Sequence, residues 1–151
     1  MVLNGKLRLA KPEDVEELSG VVFTAAGDIP NGPKPDRDKI KETLKHLISS
    51  DVKVSIVILY EVDEAIVGFI VGIVNPNVFS GITQVAELGY YVLPEYSSYK
   101  VYVELLDTYE SWAKEIVSAD LISVATYNPR FGKVYERKGY RLTETSYTKE
   151  L

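Results

Sequence analysis

The sequence contains no cysteine and only one histidine, His46. Without cysteine there can be no disulfide framework, no thiolate metal site and no cysteine nucleophile. The single histidine falls on the polar side of a predicted helix, with no partner at ligand spacing, and we interpret it as a solvated surface residue. We therefore predict no metal site.

Long apolar runs and an excess of positive charge are also missing. No stretch reaches the length of about 20 apolar residues that a membrane-spanning helix needs. The first ten residues, MVLNGKLRLA, show neither the basic nor the apolar region of a signal peptide. We expect a cytoplasmic protein that does not associate with membranes. The formal net charge of −5 argues against general nucleic-acid binding and leaves cationic amines as plausible small partners.

The residues that are present suffice for one globular domain. Of the 151 residues, 46% are hydrophobic and 26% are charged. A chain of this length buries a sizeable core, and it shows no internal repeat, low-complexity tract or linker that would mark a second domain. We predict a single α/β domain over residues 1–151.

Hydrophobic periodicity and the positions of glycine and proline divide the chain into alternating strands and helices. The predicted strands are Lys6–Ala10, Val52–Tyr60, Ala65–Val74, Gln84–Leu93, Leu121–Thr126 and Tyr140–Lys149. The predicted helices begin at Pro12, at Asp36 (ending near Ser49), at Ser98 (ending near Val117) and after Asn128. Val62, Asp63 and Glu64 predict a hairpin turn, and Gly89 predicts a β-bulge because glycine weakens the interior of a strand.

The segment NPRFGKVYERKGY, residues 128–140, has start and stop signals for a helix. Asn128 is a favourable N-cap, Pro129 suits the first helical position, and Gly139 can adopt the left-handed conformation that ends a helix. This helix carries Tyr135 seven residues after Asn128. The two residues are thus held at a fixed offset near the end of the domain.

Three parts of this pattern resemble the GNAT superfamily of acyl-CoA-dependent N-acetyltransferases. Asn128, Tyr135 and Gly139-Tyr140 look like the family's Asn, its Tyr seven residues later, and its Gly followed by an aromatic residue. The segment from Ala86-Glu87-Leu88 to Tyr96 is similar to the family's fourth strand, and EVDEAIVGFIVG resembles its central hairpin. The resemblance covers nearly the whole chain. It implies an α/β (α+β) fold with a mixed, bent central sheet flanked by helices on both faces.

The resemblance also implies acetyl-CoA as cosubstrate. In the family, a loop of pattern R/QxxGxG/A seats the pyrophosphate on backbone N–H groups at a helix N-terminus. The matching positions here are Ser97, Lys100 and Tyr102, which depart from that pattern. The implied pyrophosphate-binding segment is Ser97, Ser98, Tyr99, Lys100, Val101 and Tyr102.

The pantetheine arm is implied to pair with the main chain of Tyr90, Tyr91 and Val92. Asn128 would add a polar contact to the same cosubstrate, although its function as a helix cap explains the residue equally well.

For proton transfer, Tyr135 resembles the family's general acid, because a phenol is protonated at neutral pH and can donate. The alternative is a packing residue with a solvated hydroxyl. Glu87 resembles the family's base and interrupts an apolar run. If it is buried its pKa is raised, which suits a base near neutral pH, whereas on a strand of period two it could instead point to solvent. Ser123 stands where some family members carry another acid.

We therefore predict transfer of an acetyl group from acetyl-CoA to the primary amine of a small molecule or peptide. The acceptor site is implied to lie around residues 24–38. The alternative is a non-catalytic binding or assembly module that keeps the fold without the cofactor loop. If side chains of Ser97–Tyr102 fill the pyrophosphate site, the non-catalytic module is favoured. If backbone N–H groups there remain free and point into an open cavity, the enzyme is favoured. A monomer and a homodimer are both compatible with the sequence.

Overall fold

The computed structural model describes residues 5–151, which form a five-stranded sheet and four α-helices. The strands are β1 (Gly5–Leu9), β2 (Ser55–Val62), β3 (Ala65–Val74), β4 (Gln84–Val92) and β5 (Leu121–Ser123). The helices are α1 (Val15–Gly27), α2 (Arg37–Ser49), α3 (Tyr99–Trp112) and α4 (Pro129–Arg137). Short 3₁₀ turns lie at Pro12–Asp14 and Pro94–Tyr96, and a π-helical turn, Ala113–Val117, extends α3. The strand order is β1-β2-β3-β4-β5, antiparallel except for the β4–β5 pair, which is parallel.

Both faces of the sheet are buried, as strands of period two require when helices cover each side. On one face Ile56, Ile58 and Tyr60 pack with residues of α3 and α4. On the other face Val57 and Leu59 pack with residues of α1 and α2. The mixed sheet with helices on both faces, which the resemblance implied, is confirmed.

The β2–β3 hairpin is closed by a two-residue turn at Asp63 and Glu64. Both residues have positive φ angles, 50° and 66°. Such a left-handed pair twists the chain in the sense that neighbouring strands require. The predicted turn is confirmed, except that Val62 still belongs to β2.

The sheet splits between β4 and β5, which pair over only three positions of the described chain, from Gln84 opposite Leu121 to Ala86 opposite Ser123. Just beyond them, Gly72 of β3 lies opposite Glu87 while Val71 lies opposite Gly89, so Leu88 is an extra residue. The bulge predicted from Gly89 is thus present. A Cβ atom at Gly89 would lie 3.0 Å from Cε2 of Phe69, so the ring of Phe69 occupies the space of a side chain there.

The predicted strand Tyr140–Lys149 is wrong, because residues 140–151 form no strand. Every residue after Tyr140 is exposed, and the polar segment RLTETSYTKEL offers no apolar face to bury. Strand β5 also ends at Ser123 rather than Thr126, because the chain leaves the sheet there to line a cleft.

Within residues 5–151 no helix has both the length and the apolar character needed to cross a membrane. The same residues contain no group of three or more His, Cys, Asp or Glu side chains placed to bind a metal ion.

Candidate active site

A cleft of about 800 Å³ opens where β4 and β5 separate. One side, here called the α1–α2 side, is formed by α1, by the loop that follows it and by α2. The other, here called the α3–α4 side, is formed by Tyr102 of α3, by the chain after β5 and by α4. Strand β4 is the floor between them. Ligand sites in proteins are commonly mostly apolar clefts of this size that contain a few polar groups.

Glu87 lies on this floor, next to the bulge. Its side chain is partly buried, and its Oε1 accepts a hydrogen bond from the N–H of Ala125, with an N···O distance of 3.4 Å. Burial raises the pKa of Glu87 to about 7, and the bond from Ala125 opposes this shift only in part. The carboxyl therefore changes charge near neutral pH, as a general base or acid must. Glu87 lines the cleft instead of facing open solvent.

Tyr135 reaches the same point from α4. It is 6% exposed, and its hydroxyl donates to the carbonyl oxygen of Ala125 at 3.1 Å. Burial and the nearby Glu87 carboxyl raise the pKa of Tyr135, so the phenol remains protonated at neutral pH. Glu87 and Tyr135 thus bind the N–H and the C=O of one residue. A proton acceptor and a proton donor lie together where the strands part.

The segment that holds Tyr135 has the local structure that its sequence predicts. Asn128 Oδ1 accepts from the N–H of Arg130 at 3.0 Å, so Asn128 is the N-cap of α4. Gly139 follows α4 with φ of 93°, the left-handed stop. Asn128 also lines the cleft. Its position is therefore compatible with a helix cap alone and with an additional polar contact to the cosubstrate.

A second, smaller cavity of about 280 Å³ lies at the first turns of α3 and α4. Its walls are Ser97, Ser98, Tyr99, Tyr102, Asn128, Arg130, Phe131 and Val134. Ser98 is the N-cap of α3 and accepts from the N–H of Val101 at 3.2 Å. Within the described chain the N–H groups of Tyr99 and Lys100 donate no hydrogen bond. Free N–H groups at a helix N-terminus, close to an arginine, favour an anion.

Tyr102 separates this small cavity from the floor of the cleft. Its hydroxyl accepts a hydrogen bond from the N–H of Val92 at 3.3 Å, on the edge of β4 that faces away from β3. Its ring packs edge-on against Phe131, 4.6 Å between ring centroids, and against Tyr90, at 5.3 Å. The large Tyr102 side chain thus lies beside the edge of β4. This is the edge along which the family resemblance places the pantetheine arm.

The remaining predicted site residues divide into two groups. Tyr90 and Tyr91 line the cleft. The Tyr90 hydroxyl donates to the carbonyl of Tyr102, and the Tyr91 hydroxyl donates to Asp28 Oδ2 at 2.6 Å. Lys100 and Val101 line neither cavity: the Lys100 ammonium lies 3.9 Å from Glu104, and Val101 is 1% exposed in the core.

Several residues of the site were not predicted from the sequence. They are Leu88 at the bulge, Ala125, Arg130, Phe131, and the α2 residues Ile40, Thr43, Leu44 and Leu47. Ile40, Leu44 and Leu47 have the periodicity of a buried helix face, which does not reveal that part of this face borders a cleft. The bulge predicted at Gly89 was the available signal for Leu88.

Comparison with known proteins identifies one matching family model and many solved structures with a similar fold. The family model described as "Acetyltransferase (GNAT) family" matches residues 22–140. No curated protein matches the chain.

Three of the similar solved structures are acetyltransferases of low sequence identity. A ribosomal-protein-alanine N-acetyltransferase from Brucella melitensis biovar Abortus has a TM-score of 0.75 and 20% identity, with 97% of each chain covered. An aminoglycoside N-acetyltransferase in complex with CoA has a TM-score of 0.78 and 15% identity, with 100% of this chain and 97% of that chain covered. A Staphylococcus aureus acetyltransferase has a TM-score of 0.70 and 19% identity, with 97% of this chain and 98% of that chain covered. At these identities the likeness shows a shared fold.

Proposed function

Since the chain belongs to the acetyltransferase (GNAT) family, we propose that it transfers an acetyl group from acetyl-CoA to a primary amine. One observation carries this proposal. Glu87 and Tyr135 contact the two polar groups of Ala125 at the mouth of the split between β4 and β5, in a cleft large enough for an acceptor. A base with a pKa near 7 and a protonated phenol are the two proton-transfer groups that the reaction needs.

Acetyl-CoA supplies the thioester that the amine attacks. An amine arrives mostly as ammonium, which cannot attack, and the Glu87 carboxylate accepts its proton. The raised pKa of Glu87 makes it a stronger base than an ordinary carboxylate and lessens the uphill cost of that transfer. As the new C–N bond forms and the C–S bond breaks, the Tyr135 hydroxyl donates its proton to the leaving sulfur. The acylated nitrogen still carries one surplus proton and loses it to solvent. The Tyr135 phenolate regains a proton from solvent, and Glu87 releases to solvent the proton that it took from the ammonium.

The residues present fit the charged end of acetyl-CoA. The free N–H groups of Tyr99 and Lys100 and the guanidinium of Arg130 are donors suited to a diphosphate, and the small cavity provides space beside them. Along β4, the N–H of Val92 is available only if the Tyr102 hydroxyl gives up its bond. A single neutral hydrogen bond of 3.3 Å is worth about 1 kcal/mol, so this displacement is inexpensive.

The second candidate is a non-catalytic binding or assembly module, and Tyr102 favours it. If the contacts of Tyr102 with Val92, Tyr90 and Phe131 hold together, the aromatic cluster closes the strand edge to any cosubstrate. Two edge-on aromatic pairs contribute about 0.5–1.5 kcal/mol each, in addition to the hydrogen bond. The two candidates therefore differ in whether Tyr102 moves.

Calorimetric titration with acetyl-CoA separates them. For the enzyme we expect the unaltered protein to bind with a micromolar dissociation constant. We expect Tyr102→Ala to bind more tightly, because the shorter side chain leaves the N–H of Val92 free. For the module we expect binding only by Tyr102→Ala.

The matched control is Tyr147→Ala, which removes an exposed aromatic side chain that lines neither cavity and leaves the Tyr102–Val92 bond in place. It should bind acetyl-CoA as the unaltered protein does. Failure of both the unaltered protein and Tyr102→Ala to bind, with unchanged melting temperatures, would exclude the acetyltransferase proposal.

A further inference from the structure

The α1–α2 side of the cleft exposes apolar side chains that no other part of the described chain covers. Val22 of α1 and Ile40 and Leu47 of α2 are only partly buried although they belong to the core cluster of that face. Ile29 in the following loop is 45% exposed, and Leu88 on the opposite floor is 54% exposed. All five residues line the same cleft. Apolar surface on one side and on the floor of the same cavity favours an apolar ligand.

The charged groups of the cleft are few and nearly balanced. Within residues 5–151 its charged lining residues are Lys34, Asp36, Lys39 and Glu87. Asp36 Oδ1 is occupied as the N-cap of α2, where it accepts from the N–H of Lys39 at 3.1 Å. Of the two carboxylates, Glu87 alone lies on the floor beside Tyr135. The two lysines add positive charge on the α1–α2 side.

A further carboxylate near the cleft, Asp28, is already bonded. The Tyr91 hydroxyl donates to its Oδ2 at 2.6 Å, and this bond holds the Tyr91 ring as part of the cleft wall. The aromatic ring therefore adds to the apolar surface. The Lys39 ammonium is already paired with Glu42, 3.1 Å between Nζ and Oε2, so a second cationic group on a ligand would meet Lys34 with little free acidic charge to balance it.

We infer that the acceptor is a small monoamine with an apolar body, whose amine lies at Glu87 and whose body lies against Ile29, Ile40, Leu47 and Leu88. This inference rests on the proposed function and names the substrate class of the same site. Polycationic amines, such as polyamines and aminoglycosides, are disfavoured because the floor of the cleft offers one carboxylate, Glu87, while Lys34 adds positive charge to the wall. A body about the size of a phenyl or indole ring fits the apolar wall. The cleft, of about 800 Å³, then retains room for the acetyl end of the cosubstrate.

Binding without acetyl-CoA tests this inference independently of catalysis. We would titrate the full chain with 2-phenylethylamine and with spermidine and measure affinity by saturation-transfer NMR. Based on the apolar area that one ring buries, we expect 2-phenylethylamine to bind at least about tenfold more tightly.

Two pairs of variants locate the ligand. Leu88→Gln removes apolar surface from the floor and should weaken 2-phenylethylamine binding about fourfold, the equivalent of one buried methylene group. Ile116→Gln is its control, because Ile116 is similarly exposed, at 47%, but lies outside the cleft. Thr43→Glu adds a carboxylate to the cleft wall and should strengthen spermidine binding up to about fivefold. Lys45→Gln changes the net charge by the same amount on the same helix, outside the cleft, and should leave spermidine binding unchanged.

The outcomes separate this inference from the proposed function. Tighter binding of spermidine, no binding of either amine, or equal effects of Leu88→Gln and Ile116→Gln would overturn the monoamine inference. Acetylation of spermidine but not of 2-phenylethylamine would also overturn it while supporting the acetyltransferase. Selective binding of 2-phenylethylamine at Leu88 without acetyl transfer would support the monoamine site and count against the acetyltransferase.

Discussion

The two halves of β4 lie in different surroundings although they belong to one strand. Residues 84–86 pair with β5 on one edge, and Val85 and Ala86 also pair with β3 on the other. Within the described residues, 89–92 pair with β3 alone, and their other edge faces the cleft. The bulge at Leu88 separates the closed half from the open half, and Glu87 lies at the junction.

The difference shows how one strand provides both rigidity and a binding edge. In the closed half, backbone groups are satisfied by neighbouring strands, and the side chains around it are tightly packed. In the open half, the N–H of Val92 has no strand partner, so a ligand or a side chain must satisfy it. Here Tyr102 does so. We propose that the paired backbone of the closed half holds Glu87 in place and that the free edge of the open half takes the cosubstrate.

The largest expected effect comes from changing the junction itself. Glu87→Gln should lower the rate of acetyl transfer by about 10²–10⁴-fold, the usual contribution of a general base. In the unaltered protein the rate should rise with pH up to about 7 and then level off, because the carboxylate is the reactive form. The variant should lack this rise. Glu136→Gln, an exposed position on α4, is the control, and retention of the pH rise in Glu87→Gln would remove Glu87 from the mechanism.

A smaller loss is expected when the cleft loses its proton donor, Tyr135 of α4. Tyr135→Phe should lower the rate of acetyl transfer about 100-fold, near the lower end for general acid catalysis, because a thiolate leaves more readily than an alkoxide. The measurement is steady-state release of the free thiol. Tyr127→Phe makes the same chemical change at another tyrosine of the cleft and should be nearly silent. Equal losses in the two variants would argue that Tyr135 only packs.

The closed half can be tested through stability. A Cβ atom at Gly72, which lies opposite Glu87, would come within 2.5 Å of Cε2 of Tyr109. Gly72→Ala should therefore destabilise the protein by about 1–3 kcal/mol through overpacking. Gly132→Ala in α4 meets no atom within 4 Å and should be neutral or stabilising, because alanine favours a helix. Urea unfolding of both variants measures this difference. An unchanged free energy of unfolding in Gly72→Ala would show that Tyr109 and its neighbours can shift to make room for the methyl group.

The smallest effect concerns the stability that the protein loses when Glu87 is ionised in the cleft. Its pKa is 4.5 ordinarily and about 7 in the folded protein, so the folded state holds this proton more tightly than the unfolded state. The stability contributed by this group therefore falls as pH rises from about 4.5 to 7 and is lowest above 7. Glutamine stays neutral at every pH. The full shift corresponds to roughly 3 kcal/mol, and solvent in the open cleft screens part of it. Glu87→Gln should therefore raise the free energy of unfolding by about 1–2 kcal/mol at about pH 8 and leave it unchanged at about pH 4.

Thermal unfolding of the unaltered protein and of Glu87→Gln at both pH values measures this difference. Glu136→Gln again provides the comparison, since an exposed carboxyl should show no such dependence. A melting temperature for Glu87→Gln that tracks the unaltered protein at the higher pH would mean that the carboxyl is well solvated in the cleft.

Sequence reasoning succeeded where the signal was local. The N-cap at Asn128, the stop at Gly139 and the bulge next to Gly89 follow from backbone preferences that act within a few residues, and the structure has each of them. It failed for residues 140–149, because an alternation of threonine and charge is compatible with a strand but buries too little apolar surface to form one.

The sequence by itself determined the order of elements as far as α4, the start of α4 and the departure of Ser97, Lys100 and Tyr102 from the family's cofactor loop. Only the tertiary structure decided that Glu87 and Tyr135 meet at Ala125, that the apolar face of α2 remains partly uncovered, and that Tyr102 reaches the edge of β4. Local preferences act over one or two turns of chain. These contacts instead join residues of different elements, 10 to 38 positions apart in sequence. They form because the split between β4 and β5 leaves an edge and a cavity that neighbouring elements must line.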